Sequence, residues 1–456
     1  MSRAGLWLAI SSAGEWAAVT SGGAEFASGR NGALEAMQAV YSEPVDVFCQ
    51  SSAELERLIA SVPAKGRPDS VIIRQRDGWS HECAGFSYTH GASFWLGSLV
   101  FPDPVATYCR SAGWATPKGE PIDAVRGWCQ VHEEQTRLVS GIIGQEPTHS
   151  LSSSAFRAAV PKTWRRGGEH FGARVRGYAE VRQSCYGGRI ECYRPGWSGQ
   201  AVEFDIRSAY GWALTEPLPD WQLYERRAYP GEAEWLDVTA EVSGEVGPLP
   251  VRLDTAGRSL FWPRAGKVRG WYARPDLERS GLRILDVHAA LAGRMSLDLA
   301  PHVSRWLELR EQTTCRAVKA TVRGLAVGLA GKLWQRSESW GLWHVSEGPA
   351  PMGATPLGDS DWLAYPCKPR HIPVTLPTAA SYVTAMVRSK VWPWIADGRA
   401  LYTHTDSVHI AQDDADDGFF PELGDKPGQW SVKAEGFAHY KGVNAYTIGK
   451  KRVGQS

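Results

Sequence analysis

The chain has 456 residues, with Lys+Arg 50 against Asp+Glu 49 and a formal charge of +1 at pH 7. With 43% hydrophobic and 11% aromatic residues it has apolar material for about two to four packed domains, which excludes wholesale disorder and fibrous repeats. No run of about 18 apolar residues occurs, so no membrane partner is expected, and the N-terminal apolar stretch has no small-residue cleavage site after it; a cytoplasmic protein is the expectation. Near-zero net charge argues against a surface that is basic all over, but leaves room for one basic channel balanced by acidic faces. The eight cysteines are scattered, with no CxxC pair and no Cys/His spacing of a zinc module, so reduced thiols are expected.

Apolar alternation predicts strands at Leu6–Ile10, Trp16–Thr20, Val45–Cys49 and Val71–Arg74. Helical spacing falls between them at Gly32–Val40 and Ser52–Ile59, the latter with Ser52 as N-cap and Glu54 and Glu56 in its first turn. Pro121–Ile142 reads as a further amphipathic helix, and the linker-like Gly144–Ser154 closes a mixed α/β domain over 1–148. Next comes a basic segment within 149–200. Lys162, Arg165, Arg166, Arg174, Arg176 and Arg182 alternate there with Trp164, Phe171 and Tyr178. Basic groups contact phosphates and aromatics stack bases, so the composition suits a strand-tracking surface; a solvated helix with a flanking loop has the same pattern. From Ala201 strands and helices alternate without a second obvious linker, interrupted by the Gly/Pro-rich Gly348–Gly358 and the acidic Asp413–Asp417.

Ala201–Leu214 (AVEFDIRSAYGWAL) predicts an apolar strand that delivers Asp205 at its end and turns through Ser208, Ala209 and Tyr210 into a helix. Leu401–Ile410 (LYTHTDSVHI) predicts a hairpin whose tip presents Thr405, Asp406 and Ser407. An Asp at a strand end is by itself more often a cap or turn former. Two carboxylates converging from separate strands are what a Mg²⁺ pair requires, because Mg²⁺ takes hard oxygen ligands and keeps waters and substrate phosphates in its other positions.

The flanking residues are specific. Asp205-x-x-Ser208-x-Tyr210 resembles the D-x-x-S-L-Y-P motif of family B DNA polymerases, and Tyr402-x-His404-Thr405-Asp406-Ser407 resembles their Y-x-D-T-D-S motif, in the same order. Between them, Arg323 to Lys332 has the frame of the fingers motif K-x-x-x-N-S-x-Y-G-K, in a helix expected to begin near Val303, with Arg310 at the place of a further basic residue upstream. Ser381–Trp392 is similar to the family's A-x-x-x-T-A-x-x-R segment through Thr384, Ala385 and Arg388, and Val268–Gly281 to its G-x-Y-x-x-x-E-L stretch. Cys185-Tyr186-Gly187-Gly188 resembles the Y-x-G-G motif of the protein-primed branch. The resemblance covers about Arg182–Ile448 and implies an α+β fold. An N-terminal RNase H-like (exonuclease-like) α/β domain would be followed by a palm over 201–456, with helical fingers at about 301–345 and little or no thumb before Ser456.

The same resemblance implies roles for residues. Asp205 and Asp406 are the catalytic pair and, with the backbone carbonyl of Ile206, would hold two Mg²⁺ ions, Mn²⁺ being the alternative. Ser208, Ala209 and Tyr210, with Arg310 and Arg323, would bind the dNTP, Tyr210 corresponding to the residue whose ring blocks a ribose 2′-hydroxyl. Arg165, Arg166, Arg174, Arg176, Tyr186, Gly187, Gly188, Thr405, Lys441 and Tyr446 would contact DNA; Asn444-Ala445-Tyr446 stands where the family carries K-x-Y, with Lys441 or Lys433 as the substitute lysine.

Departures from the family carry expectations too. His404 replaces the first hairpin Asp, which implies weaker metal affinity or a shift toward Mn²⁺; Val327 and Ala330 replace the fingers Asn and Tyr, which implies an altered base pocket and reduced fidelity. Leu6–Ala13 lacks the D-x-E of a proofreading site, and Trp128-x-x-x-His132, beside Glu133, stands at its Y-x-x-x-D, so a scaffold without exonuclease activity is expected. The implied function is a template-directed DNA polymerase of phage or mobile-element replication. Its partners would be template and primer DNA, dNTP, and a terminal protein or processivity partner. The alternatives are a catalytically inactive homologue that binds DNA or a replication protein, and an unrelated two-metal nuclease, which fits the motif order poorly.

Overall fold

The computed structural model describes residues 121–147, 151–161, 177–220, 233–252, 260–279, 281–334, 376–419 and 423–454, the short segments 4–10, 16–20, 25–28, 45–49, 71–73, 84–89, 92–97, 225–226, 339–344, 355–356 and 362–367, and positions 109, 113, 231, 349 and 421. The expected helices Gly32–Val40 and Ser52–Ile59 and the basic residues Lys162, Arg165, Arg166, Arg174 and Arg176 lie outside them. Two compact units are formed, neither contiguous in sequence. The first comprises Met1–Ala158, Glu308–Leu329 and Arg336–Pro373, and the second Ala159–Leu307, Ala330–Gln335 and Val374–Ser456.

The first unit contains a ten-stranded mixed sheet. Ala4–Ile10 pairs antiparallel with Trp16–Thr20 and parallel with Val45–Cys49, and Trp16–Thr20 pairs with Glu25–Ser28. The expected strand at Val71 ends at Ile73, and it pairs with Ser339–His344, a strand from late in the chain that alternation did not single out. Ala84–Thr89 and Ala92–Gly97 add a hairpin that the sequence reading also omitted. The helix expected at Pro121–Ile142 runs Pro121–Ile143; Pro at its first position pre-sets φ, and Asp123 in the first turn pairs with Arg126.

The segment expected to form helical fingers, in a helix beginning near Val303, is two helices, Ala300–Gln312 and Arg316–Leu333. Thr313 breaks them, its hydroxyl accepting the Cys315 amide at 3.1 Å in place of a helical carbonyl. Gly324 and Gly328, one turn apart, let the second helix press on the helix Leu151–Ala159. A Cβ at Gly324 would stand 2.8 Å from Leu151 Cδ1, and one at Gly328 3.0 Å from Ser152 Cα.

The second unit is organised around a seven-stranded antiparallel sheet in the order Lys451–Val453, Ala445–Ile448, Trp430–Gly442, Ser198–Ile206, Ser407–Ala411, Tyr402–Thr405, Arg189–Cys192. The strand that ends in Asp205 is therefore central, flanked on both sides by longer or hairpin-linked partners. Its apolar run Ala201, Val202, Phe204 and Ile206 is buried. A four-stranded sheet, Glu225–Arg226, Leu282–Ala292, Trp235–Ser243 and Ala265–Ala273, has its own core around Leu236, Val238, Val268 and Tyr272.

The helix Pro377–Val391 packs against the short helices Tyr178–Gln183, Ala209–Ala213 and Arg274–Leu277 and is buried along most of its length. It therefore has little room for charge, and the one charged residue it buries, Arg388, is fully partnered. Arg388, 1% exposed at its side chain, forks onto Asp276 (Nε to Oδ1 3.0 Å, Nη2 to Oδ2 2.6 Å), and its Nη1 donates to the carbonyls of Tyr186 (2.6 Å) and Gly187 (2.9 Å). Arg279 donates to the same Asp276 and to the Pro248 carbonyl (2.6 Å). Burial pushes the Asp276 carboxyl up, but the guanidinium charges of Arg279 and Arg388 outweigh it and hold it below its ordinary value; burial lowers Arg279 to about 10.

Removing one member of such a group leaves an uncompensated buried charge. Asp276→Asn is expected to cost about 3–5 kcal/mol, read as a lower urea midpoint at unchanged slope. Because the native carboxyl titrates below its unfolded value, its contribution is complete above the ordinary carboxylate range and is lost as pH falls below it. The Asn variant should therefore lose less stability than wild type on acidification through that range.

Candidate functional site

Asp205 stands one residue before the end of the central strand, opposite Ser407 on one neighbour and Ser431 on the other. Asp406 sits in the turn between Tyr402–Thr405 and Ser407–Ala411, and its carbonyl accepts the Ile206 amide at 2.9 Å, which ties the hairpin tip to the strand end. The turn is tight. Thr405 has φ 58, a left-handed conformation that a β-branched residue rarely adopts, and its hydroxyl donates to Asp406 Oδ1 at 2.6 Å. Gly188 backs this turn: a Cβ there would stand 2.7 Å from Thr405 Cγ2 and 3.2 Å from its Cα.

The two carboxylates feel one another. Burial pushes the Asp205 carboxyl up, the Asp406 charge pushes it further, and Lys433 opposes both through a hydrogen bond to Oδ2 and its charge. Tyr210, in the helix Ala209–Ala213, is pushed up to about 12 by burial and then by the Asp406 charge, with Arg388 opposing. Asp205, Asp406 and Tyr210 are thus brought together, as their motifs imply. Ser208, at φ 48, makes the sharp turn from strand to helix, its carbonyl accepting the Trp212 amide at 2.7 Å.

Lys433 reaches the site through a β-bulge. Val432 pairs with Phe204 and Ala434 with Glu203, so Lys433 is the extra residue between them, and a bulge re-aims the side chain it carries. Directly behind Asp205 on the same strand face is Glu203, 1% exposed, gripped by Lys451 Nζ at 2.7 Å to each oxygen. Sequence reasoning did not single out Glu203, Lys451 or His409. The signal was a charged residue inside the otherwise apolar run Ala201–Ile206, two positions from Asp205 and hence on its face.

Other expected contacts fall differently. Tyr186 is a core residue, stacked on Tyr272 with ring centroids 5.4 Å apart, so its phenol faces protein. Tyr446 is likewise buried, 4.8 Å from Tyr402 and 5.8 Å from Tyr440 between ring centroids. Ala209 and Ile206 are buried. Gly187, Lys441 and Arg323 are exposed, and Arg310, His404, Thr405 and Gly188 are half-buried. Arg310 lies in the last turn of the helix Ala300–Gln312 and Arg323 on the helix Arg316–Leu333, both in the first unit, whereas the carboxylates belong to the second.

A divalent cation fits the donor chemistry: Asp205, its proton affinity raised by burial and then by the neighbouring Asp406 charge, and Asp406 beside it are hard oxygen ligands. Among the described residues no group of three or more His, Cys, Asp or Glu is arranged to hold a metal ion by itself; Mg²⁺ ordinarily keeps waters and phosphate oxygens in its other positions. No described helix is long and apolar enough to cross a membrane. Among the described residues Cys109, Cys185, Cys192 and Cys315 are free thiols.

No protein-family model matches the chain, and no curated protein matches its sequence. Solved structures do. The orthorhombic crystal form of phi29 DNA polymerase superposes with a TM-score of 0.72 at 14% identity, covering 100% of this chain and 90% of that one. The ternary complex of phi29 DNA polymerase with primer-template DNA and incoming nucleotide gives a TM-score of 0.69 at 14% identity, covering 98% and 87%. The complex of the same enzyme with single-stranded DNA gives 0.67 at 15% identity, again covering 98% and 87%. The fold is similar to that of phi29 DNA polymerase along nearly the whole chain.

The contrast between the two adjacent glycines is testable. Gly188→Ala is expected to cost about 1–3 kcal/mol through overpacking against Thr405. Gly187→Ala, with nothing within 4 Å of the added Cβ, should stay within about 0.5 kcal/mol of wild type in the same urea titration.

Proposed function

We propose that the chain is a template-directed DNA polymerase that transfers a nucleotidyl group from a dNTP to a primer hydroxyl. One observation carries this reading: Asp205 and Asp406, electrostatically coupled and tied together through the Ile206 amide, stand at adjacent strand ends in a chain with the fold of phi29 DNA polymerase. Asp205 and Asp406, with the Ile206 carbonyl, would hold two Mg²⁺ ions, or Mn²⁺. Such ions supply Lewis acidity toward phosphate oxygens and lower the pKa of a bound hydroxyl.

The protein's own residues supply the rest. Arg310 and Arg323 neutralise the triphosphate, and Ser208, Ala209 and Tyr210 form the nucleotide floor, with the Tyr210 ring against the sugar. Arg165, Arg166, Arg174 and Arg176, with Gly187, Gly188, Thr405 and Lys441, line the DNA path. Tyr186 and Tyr446 act from the core, holding the backbone that reaches DNA. The segment 1–148 is an exonuclease-like scaffold without proofreading, 149–200 carries template contacts, and the palm and fingers follow within 201–456. Replication of phage or mobile-element DNA in a bacterial cytoplasm, with a terminal protein or processivity factor as partner, completes the proposal.

A second reading, an inactive homologue that binds DNA or a replication protein, draws support from His404 in place of a carboxylate and from Lys433 on Asp205. Primer extension separates the two. Wild type is expected to extend a primer with Mg²⁺ or, more strongly, Mn²⁺, and Asp406→Asn to abolish extension; a wild type inert with both metals would leave the binding-only reading. Tyr210→Val should raise ribonucleotide incorporation at least about tenfold, a difference of roughly 1.4 kcal/mol in discrimination.

A further inference from the structure

The polar chemistry continues one step behind the carboxylate pair. A buried carboxylate is costly unless paired, and Glu203 meets that cost through Lys451, whose Nζ lies 2.7 Å from both oxygens. From the neighbouring strand His409 Nε2 approaches Oε1 to 3.8 Å. Burial, then the charges of Lys451, Lys433 and His404, keep that ring neutral, and its Nδ1 shares a hydrogen bond with the Tyr440 hydroxyl at 3.0 Å. Lys433 stands between two anions: hydrogen-bonded to Asp205 Oδ2, and 3.8 Å from Glu203 Oε1. Its side chain is 48% exposed, so rotating from one carboxylate to the other requires no repacking of the core.

While Lys433 holds Asp205, its ammonium competes with any cation for that carboxylate. We propose that Glu203 is a positioning residue for Lys433: when a divalent cation arrives at Asp205 and Asp406, Lys433 shifts from Asp205 to Glu203, and the Lys451 pair sets how readily Glu203 receives it. This rests on the reading of Asp205 and Asp406 as a metal-holding pair. The shift gives Lys433 an anionic partner in both states, so the cation's entry does not strand an ammonium beside two metal charges. Lys451 competes with Lys433 for Glu203, so the two lysines act in opposite senses through one carboxylate.

The test is direct Mn²⁺ binding, followed by loss of the free-ion electron paramagnetic resonance signal, on the full chain without DNA or nucleotide. Lys433→Met is expected to tighten binding and Glu203→Gln to weaken it, each by roughly two- to fivefold, the scale of a partly exposed ion pair. Lys451→Met should tighten it, opposite in sign to Glu203→Gln, whereas simple damage to the sheet would move both variants the same way. In the Lys433→Met background the effects of Glu203→Gln and Lys451→Met should both vanish.

If Glu203→Gln weakens binding as much with Lys433 absent as with it present, the proposal is overturned. Binding that Asp205→Asn leaves unchanged overturns both the proposal and the metal reading. An intact mutant cycle in a protein that extends no primer supports the lysine shift and removes only the polymerase activity.

Discussion

Two like charges have to be held side by side, and much of the second unit is arranged around that constraint. Asp205 is fixed by the central strand of a seven-stranded sheet, which is paired along both of its sides and so has no edge to fray. Asp406 is fixed by a hairpin turn that stores strain at Thr405 and is tied to Ile206 by one backbone hydrogen bond. A carboxylate pair in water would separate; here the backbone removes that choice, and burial, then the repulsion from Asp406, raises the proton affinity of Asp205. A strained turn persists only if its surroundings over-determine it. Gly188 presses on Thr405 from beneath, and Arg388 holds the carbonyls of Tyr186 and Gly187 just ahead of it.

The buried group Arg388, Asp276 and Arg279 is therefore more than a stabilising contact. A bidentate guanidinium satisfies a carboxylate and two backbone carbonyls at once, joining the long helix, the short helix Arg274–Leu277 and the loop that supports the hairpin. Lysine cannot reproduce that fork. Close to the site the charges run in the other direction: Lys433 and Lys451 supply positive charge to Asp205 and Glu203.

Much of this was legible in the sequence where local pattern and chemistry coincide. The alternation in Ala201–Ile206 and the Thr405-Asp406-Ser407 turn located the central strand and the hairpin, because a two-residue period and a turn signature are local properties. Arg388 was visible as a motif residue, but its partner Asp276 lies 112 positions away in sequence and nothing local pairs them. Lys433 was placed among possible primer lysines; that a bulge aims it at Asp205 depends on register between distant strands, which periodicity does not encode. The segment from Val303 to Lys332 was expected as one helix, and the deciding event at the break is a single hydroxyl, Thr313. Tyr186 and Tyr446 are DNA contacts in the resemblance to the Y-x-G-G and K-x-Y motifs, yet their rings fill the core, which a motif match does not encode.

Asp205 and Asp406 are proposed to form one cation site, in a chain whose fold is similar to that of phi29 DNA polymerase. Anomalous diffraction from Mn²⁺ in crystals grown with primer-template DNA and a non-hydrolysable dNTP measures this directly. The account predicts anomalous density touching oxygens of both Asp205 and Asp406 and shared with the nucleotide phosphates, with Lys433 displaced from Asp205. Manganese bound elsewhere, or Lys433 still on Asp205 with no metal between the carboxylates, would contradict it.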